Sequence, residues 1–237
     1  GANPIRRSMS EIAGQYSMVV AANYLADNDK SRGIMLGGFP GIVPTEVVIL
    51  GAGAAGEYAA RTALALGANV KVFDNRIYKL RHLQDKLGDR IYSSILQPKL
   101  LLRALKTAHV AIGAIYPTDS QRAYIVPEEM VMQMKRGAVI VDIGIAHGGC
   151  FESSEVTTHA NPIVLKHGII HYGVPNISSC VPHTASYAIS NVFTPILINI
   201  GEEGGVENML KQDIGVRHGV YMYKGILTSK MVGDYFK

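Results

Sequence analysis

From residue 46 onward, short apolar runs alternate with helical segments, and this alternation constrains the fold more than any other feature of the sequence. Runs with few polar residues are typical of strands that are covered on both faces. The predicted strands are residues 46–51, 69–74, 90–95, 110–114, 138–143 and 169–174. The predicted helices are residues 8–27, 54–66, 77–87, 98–108, 127–134, 184–200 and 206–211, with a kink expected at Pro195. The pattern predicts an α/β fold built on a doubly wound parallel sheet.

Composition excludes several classes of protein. With 48% hydrophobic and 18% charged residues, the chain can bury a sizeable core. The net charge of +4 comes without a block of Lys and Arg, so we expect no nucleic-acid partner. No apolar run approaches the roughly 18 residues of a membrane helix. Cys150 and Cys180 form no CxxC spacing, no signal peptide is visible, and no ligand spacing predicts a metal site. We therefore expect a cytoplasmic protein.

A glycine-rich loop, Gly51-Ala52-Gly53-Ala54-Ala55-Gly56, closes the first predicted strand and opens the following helix. In this context GxGxxG predicts a dinucleotide site. Gly51 would allow the tight turn, Gly53 would let the backbone approach a pyrophosphate, and Gly56 would let the helix pack close to the strand. A purely structural role for these glycines, and FAD or a nucleotide sugar as the ligand, remain as alternatives.

An acidic residue follows at the spacing that the loop predicts. Asp74 ends the second strand, 18 residues after Gly56, close to the roughly 20 expected of a ribose-binding carboxylate. Such a carboxylate would accept hydrogen bonds from the adenosine-ribose hydroxyls and repel a 2′-phosphate. The sequence therefore favours NAD over NADP, although Arg76 lies nearby and weakens that preference.

Eight stretches together resemble a known family. They are residues 9–14 (MSEIAG), 36–41 (LGGFPG), 51–56 (GAGAAG), 110–114 (VAIGA), 137–143 (GAVIVDI), 148–152 (GGCFE), 157–159 (TTH) and 171–176 (HYGVPN). With these stretches the chain resembles the alanine dehydrogenase and nicotinamide nucleotide transhydrogenase α-subunit family, and it resembles the alanine dehydrogenases more closely. The resemblance implies a Rossmann NAD-binding domain with flanking helices from a partial second domain.

The resemblance also implies roles for single residues. Ser10 would contact the cofactor phosphates, Asp74 and Lys79 the adenosine ribose, and Ile115 the adenine–ribose path. Beside the nicotinamide the family loop corresponds to Val174 and Asn176, although Asn176 could also be only a turn former. The predicted cofactor-binding set is Ser10, Gly51, Ala52, Gly53, Ala54, Ala55, Gly56, Asp74, Lys79, Ile115, Ile143, Ile145, Val174 and Asn176.

Two departures from the family bear on activity. The family carries a catalytic aspartate three residues after the position of Ile143, where this chain has Ala146, and it usually has Arg or Lys where His183 stands. The first half of the family's substrate domain, which supplies the substrate-binding Arg and Lys and a proton-transferring His, has no counterpart here. The first residue is Gly1. We therefore expect either a part of a longer protein or a naturally reduced relative.

Three functions stay open. The favoured one is an NAD-dependent oxidoreductase resembling alanine dehydrogenase, with an amino acid or 2-oxo acid as the substrate and a homo-oligomeric assembly. The alternatives are a transhydrogenase-type NAD-binding subunit and a non-catalytic NAD-binding regulatory module, which Ala146 supports. We expect an N-terminal linking helix in residues 1–30, the Rossmann domain in residues 31–180, and a C-terminal helical segment of a partial substrate domain in residues 181–237.

Overall fold

The fold was obtained as a computed structural model that describes residues 3–88, 91–116, 124–229 and 233. The chain forms two compact units, Gly1–Ala185 and Ser186–Lys237. The strands of the first unit are β1 (Glu46–Leu50), β2 (Asn69–Phe73), β3 (Tyr92–Ser94), β4 (Val110–Gly113), β5 (Val139–Asp142), β6 (Ile163–Lys166) and β7 (Ile169–Tyr172). Its helices are α1 (Pro4–Leu25), α2 (Ala54–Ala65), α3 (Ile77–Leu87), α4 (Pro98–Thr107) and α5 (Glu128–Val131).

The seven strands form one sheet in the order β3-β2-β1-β4-β5-β7-β6. All neighbours pair in parallel except β6 and β7, which pair antiparallel at one edge. The chain runs outward from β1 to β3 and then crosses back to place β4 on the other side of β1. This reversal is the switch point at which doubly wound sheets bind ligands. The predicted fold class is confirmed.

Both faces of the sheet are covered, which accounts for the apolar strands. Val47 and Ile49 of β1 are completely buried in the cluster that contains residues of α1, α2 and α3. Val48 and Leu50, which alternate with them, are buried in the cluster on the opposite face, with residues of α4 and α5. Because successive side chains of a strand point to opposite faces, a strand between two helical layers must be apolar throughout.

Some predicted boundaries differ from the structure. Helix α1 begins four residues earlier than predicted, because Asn3 caps it by accepting a hydrogen bond from the Arg6 amide and Pro4 occupies the first turn. The helix predicted at 127–134 is only one turn long, and the strand predicted at 90–95 is β3, with Arg90 outside the described residues. Strand β6 was not predicted; it forms a hairpin with β7 through a turn at His167 and Gly168, both with positive φ.

The second unit continues helix α6 (Pro182–Glu202), which begins in the first unit and runs through Pro195. It also contains α7 (Val206–Gln212), α8 (Ile214–His218) and a two-stranded hairpin, β8 (Met222–Tyr223) with β9 (Ile226–Leu227). None of the helices within the described residues is long and apolar enough to cross a membrane.

Candidate dinucleotide-binding site

A cleft of about 760 Å³ lies at the carboxyl ends of the strands, over the switch point between β1 and β4. It falls within the range of about 300–1,000 Å³ that is usual for small-molecule sites. Its lining includes the loop before α2, the residues that follow β2 and β4, and the N-terminal part of α1. The cleft is therefore built by the elements that the glycine motif predicted, together with a helix from the start of the chain.

The three motif glycines have different reasons to be glycine. Gly51 has a φ of 106°, and a Cβ there would lie 2.7 Å from the carbonyl oxygen of Ala114. A Cβ on Gly56 would overlap the carbonyl oxygen of Gly51. Both positions are therefore fixed by the packing of the protein itself. Gly53 differs: the nearest atom to its added Cβ is Nζ of Lys79, at 3.9 Å, and the residue faces the cleft.

Asp74 ties the glycine loop to the end of β2. One carboxylate oxygen accepts a hydrogen bond from the Ala52 amide at 2.9 Å, and the other accepts one from the Arg76 amide at 2.8 Å. The side chain is largely buried but lines the cleft. Each carboxylate oxygen has two lone pairs, so both retain capacity for a hydroxyl donor from the cleft. The acid can thus shape the loop and bind a ligand at once.

Positive charge predominates around this acid. Arg6, Arg7, Arg76 and Lys79 line the cleft, and within the described lining Asp74 is the single carboxylate. The amino-terminal end of α2 adds unpaired amides and the positive end of a helix dipole. The cleft is therefore electrostatically suited to an anionic group placed against the glycine loop.

Helix α1 is held against this loop at Gly14. A Cβ on Gly14 would overlap the carbonyl oxygen of Ala55, so only glycine allows the two helices to approach this closely. Ser10 lies one helical turn before Gly14 and consequently lines the cleft. This contact explains how a serine 41 residues before Gly51 in the sequence comes to lie beside the glycine loop.

A smaller cavity of about 230 Å³ shares Arg6, Ser10 and Tyr116 with the cleft. Asn176, with a φ of 52°, lines it and begins a 3₁₀ helix (Ile177–Cys180). The Ser178 hydroxyl of that helix donates to the carbonyl of Met9, which fixes the segment to α1. The remaining lining includes Ile143, Ala146 and His147.

The predicted site residues therefore fall into three groups. Gly53, Ala54, Ala55, Asp74, Lys79 and Ile115 line the cleft, Ile143 and Asn176 line the smaller cavity, and Ser10 lines both. Gly51, Ala52, Gly56, Ile145 and Val174 are buried behind these walls. The role of each residue toward a cofactor stays a prediction.

Asp142, at the end of β5, is a buried acid that the sequence reasoning did not single out. Its carboxylate accepts hydrogen bonds from the amides of Gly144 (3.1 Å), Cys150 (2.7 Å) and Phe151 (3.2 Å). Burial raises the pKa of Asp142 to about 6, and the amide donors oppose that rise. The sequence signal that could have indicated this acid is its position as the last residue of an otherwise apolar strand. Burial likewise raises the pKa of the neighbouring Cys150 thiol, so a thiolate is disfavoured there.

The sequence analysis also did not predict a cluster of Arg6, Tyr116 and His147 beside the two cavities. The Arg6 guanidinium carbon lies 4.7 Å from the centre of the Tyr116 ring, a cation–π contact. The Tyr116 and His147 rings meet edge to face, with centres 4.7 Å apart. Three sequence-distant residues meet here, and no local pattern encodes such a contact. Among the described residues no cluster of three or more His, Cys, Asp or Glu side chains could hold a metal ion.

The doubly wound sheet, the glycine loop after β1 and the acid at the end of β2 define a Rossmann domain. Residues 17–230 match the family model described as "Alanine dehydrogenase/PNT, C-terminal domain", and the chain belongs to this family. The resemblance found in the sequence is thereby confirmed.

Similar proteins agree with this assignment. The chain is 36% identical over 236 residues to "Alanine dehydrogenase 2" of Staphylococcus aureus strain Mu50, and 37% identical over 235 residues to that of strain USA300. These matches cover 99% of this chain but 63% of each relative, so the chain spans less than two thirds of their length. A solved structure of an L-alanine dehydrogenase matches 99% of this chain and 64% of its own, at 35% identity and a TM-score of 0.92. A transhydrogenase from Sinorhizobium meliloti shares the fold, at 20% identity, a TM-score of 0.73, and coverage of 96% and 61% of the two chains.

Proposed function

We propose that this chain binds NAD in the cleft and serves as the cofactor-binding part of an alanine-dehydrogenase-like oxidoreductase. The observation that carries the proposal is Gly53, whose missing side chain relieves no contact within the protein and leaves open space facing the cleft. A glycine at this place allows a ligand to approach the backbone closely. The pyrophosphate of NAD is such a ligand, because the surrounding amides and cationic side chains match its charge.

The remaining residues are assigned to successive parts of the cofactor, from the adenosine to the nicotinamide. Asp74 accepts hydrogen bonds from the adenosine-ribose hydroxyls, and Lys79 and Ser10 contact the ribose and phosphates. Ile115 lines the adenine side. Asn176 orients the nicotinamide end in the smaller cavity, and Ile143, Ile145 and Val174 form its apolar support. Bound NAD supplies a hydride acceptor. The chain's own residues orient it, and the buried walls of β4 and β5 exclude water.

Substitution of Gly53 tests the binding proposal. Gly53→Ala removes space needed by the cofactor but not by the protein. Gly53 is the N-cap of α2 with a φ of −80°, which alanine also adopts, and the poorer capping by alanine costs about 1 kcal/mol. We expect the affinity for NADH, measured by fluorescence titration, to fall at least tenfold while the melting temperature falls by only a few degrees. Gly201→Ala is the matched control, since a Cβ at Gly201 would meet no atom within 4 Å and this glycine lies on α6. A wild-type chain that takes up no NADH, or equal affinities for wild type and Gly53→Ala, would refute the proposal.

The activity of the whole protein is a further part of the proposal. We infer oxidation of an amino acid to a 2-oxo acid, with L-alanine and pyruvate as the pair that the relatives' names indicate. We also propose a homo-oligomer in the cytoplasm. Reduction of NAD by the full-length protein with L-alanine, followed at 340 nm, tests the reaction. Sedimentation of the same protein tests its assembly.

One observation favours a second candidate, a non-catalytic NAD-binding module. Ala146 lines the smaller cavity beside Asn176, and its methyl group can neither accept a hydrogen bond nor stabilise a positive charge. If the full-length protein turns over only after Ala146→Asp, the natural protein is such a module. If the wild-type protein turns over, this candidate is refuted. A transhydrogenase-type subunit would instead pass hydride to a second nucleotide-binding protein, which adding L-alanine alone would not reveal.

A further inference from the structure

Arg6 lies at the boundary between the cleft and the smaller cavity, and it lines both. Its guanidinium carbon is 4.7 Å from the centre of the Tyr116 ring, so a cation–π contact holds the charge at this boundary. Among the described residues Arg6 forms no ion pair, whereas the neighbouring Arg7 pairs with Glu11 at 2.9 Å. Arg6 therefore brings a positive charge to the wall of the smaller cavity.

The other groups that line the smaller cavity do not balance this charge. Within the described lining there is no Asp or Glu, and Ala146 contributes only a methyl group. The remaining polar side chains are those of Ser10, His147, Asn176 and Ser178, none of which carries a negative charge. The cavity should therefore disfavour a cationic group relative to a neutral group of the same shape.

The two redox states of the cofactor differ in this respect. The nicotinamide ring of NAD carries one positive charge, while the ring of NADH is neutral. The adenine, the riboses and the pyrophosphate are the same in both molecules, so their contacts contribute equally to the two affinities. The ratio of the two affinities consequently reports on the surroundings of the nicotinamide ring alone.

We propose that the smaller cavity selects the reduced cofactor over the oxidised one, and that Arg6 determines this selectivity. The inference rests on the proposed function, which places the nicotinamide in this cavity beside Asn176. A cavity of about 230 Å³ is about 8 Å across, so a ring inside it lies within roughly that distance of the guanidinium. At an effective dielectric constant of about 20, two like charges at that distance lower an affinity by more than tenfold, and counter-ions reduce the effect to about tenfold in dilute buffer.

Such selectivity changes the properties of the bound cofactor. Tenfold tighter binding of NADH raises the reduction potential of the bound two-electron couple by about 30 mV. In an amino-acid dehydrogenase, bound NAD would thus be a stronger hydride acceptor than free NAD. In a non-catalytic module, the occupancy of the chain would follow the concentration of reduced cofactor rather than the total. The same charge therefore has a consequence under either candidate function.

Paired titrations of the intact chain test the selectivity. NADH binding is followed by fluorescence at low ionic strength, and NAD is added as its competitor. We expect the wild type to bind NADH about tenfold more tightly than NAD, and Arg6→Met to reduce this ratio to about threefold or less, even if both affinities fall. Lys79→Met is the matched control: Lys79 lines the cleft but not the smaller cavity, so its loss should lower both affinities and preserve their ratio. Equal affinities in the wild type, or an unchanged ratio in Arg6→Met, would overturn the proposal.

A negative charge added at Ala146 provides an independent readout. Ala146 is exposed, so a larger side chain can be accommodated. Ala146→Asp should strengthen NAD relative to NADH by about tenfold, whereas the uncharged Ala146→Asn of the same shape should keep the wild-type ratio. The same ratio in these two variants would contradict the electrostatic argument. A chain that binds NADH without any redox selectivity overturns this inference and leaves the cofactor site intact, whereas a chain that binds neither form refutes the cofactor proposal itself.

Discussion

Asp142 should make the stability of the protein depend on pH. Its pKa is raised from an ordinary 3.8 to about 6 because the carboxyl group is buried beneath the cleft. The folded state therefore holds this proton more tightly than the unfolded chain does. The resulting contribution to stability is complete below pH 3.8 and is lost as the pH rises through about 6. The direction is opposite to that of a carboxylate stabilised by a salt bridge.

The size of the effect follows from the shift. A difference of about two pKa units amounts to about 3 kcal/mol in all, of which about 1.5 kcal/mol falls between pH 5 and pH 8. Asp142→Asn cannot ionise and should lack this decline. The variant loses stability at every pH, since its amide nitrogen would face a backbone amide donor, at a cost of about 1–3 kcal/mol.

Urea denaturation at pH 5 and pH 8 measures both the pH-dependent contribution of Asp142 and the constant cost of the Asp142→Asn substitution. The gap in unfolding free energy between wild type and Asp142→Asn should narrow by about 1.5 kcal/mol as the pH rises. Because the wild type and the variant share all other ionisable groups, the difference between their unfolding free energies removes the contribution of those groups. Asp85→Asn, on the exposed side of α3, should keep the wild-type pH dependence. A gap that stays constant between the two pH values would refute the reasoning.

Two other perturbations separate packing from binding. Gly14→Ala should cost about 1–3 kcal/mol in thermal denaturation and weaken NADH binding, because α1 must move away from Ala55 and carry Ser10 with it; an unchanged melting temperature would contradict the contact. Asp74→Asn should reduce NAD affinity about tenfold in calorimetry and narrow the preference over NADP, since the charge that repels a 2′-phosphate is gone. Asp85→Asn is again the control, and an unaltered NAD to NADP ratio would argue against the ribose role.

The sheet could be predicted because its signals are local. The central strand β4 is a continuous apolar run, β1 is apolar after Glu46, and the turns after α2, after α3 and before β5 each contain a glycine with positive φ. Strand β6 lacked such a signal: Leu165 is exposed and three of its four residues are only partly buried, so no clear pattern marks it. The turn at His167 requires a positive φ, which histidine seldom adopts, so the sequence of this turn does not predict a hairpin.

Residue spacing alone brought together only the contiguous part of the candidate site, and the distant lining residues came from the family resemblance. The glycine loop and Asp74 lie within one βαβ unit, so spacing alone placed them together. Arg6 reaches Tyr116 only because α1 is held against α2, a contact of long sequence separation. The amide donors around Asp142 come from residues that follow it by 2, 8 and 9 positions, in a loop whose course no periodicity specifies. Tertiary packing decides both arrangements.

The two ends of the site differ in what the chain supplies. At the proposed adenosine end, Asp74, Lys79 and the glycine loop provide charge, donors and space for a dinucleotide. At the proposed nicotinamide end, the described lining offers Asn176 and His147 but has a methyl group at Ala146. We therefore expect binding and turnover to be separable, with the affinity for NADH set by the residues of the cleft and turnover restricted by the methyl group of Ala146 in the smaller cavity. A chain that binds tightly without reacting is therefore the expected behaviour of these residues alone.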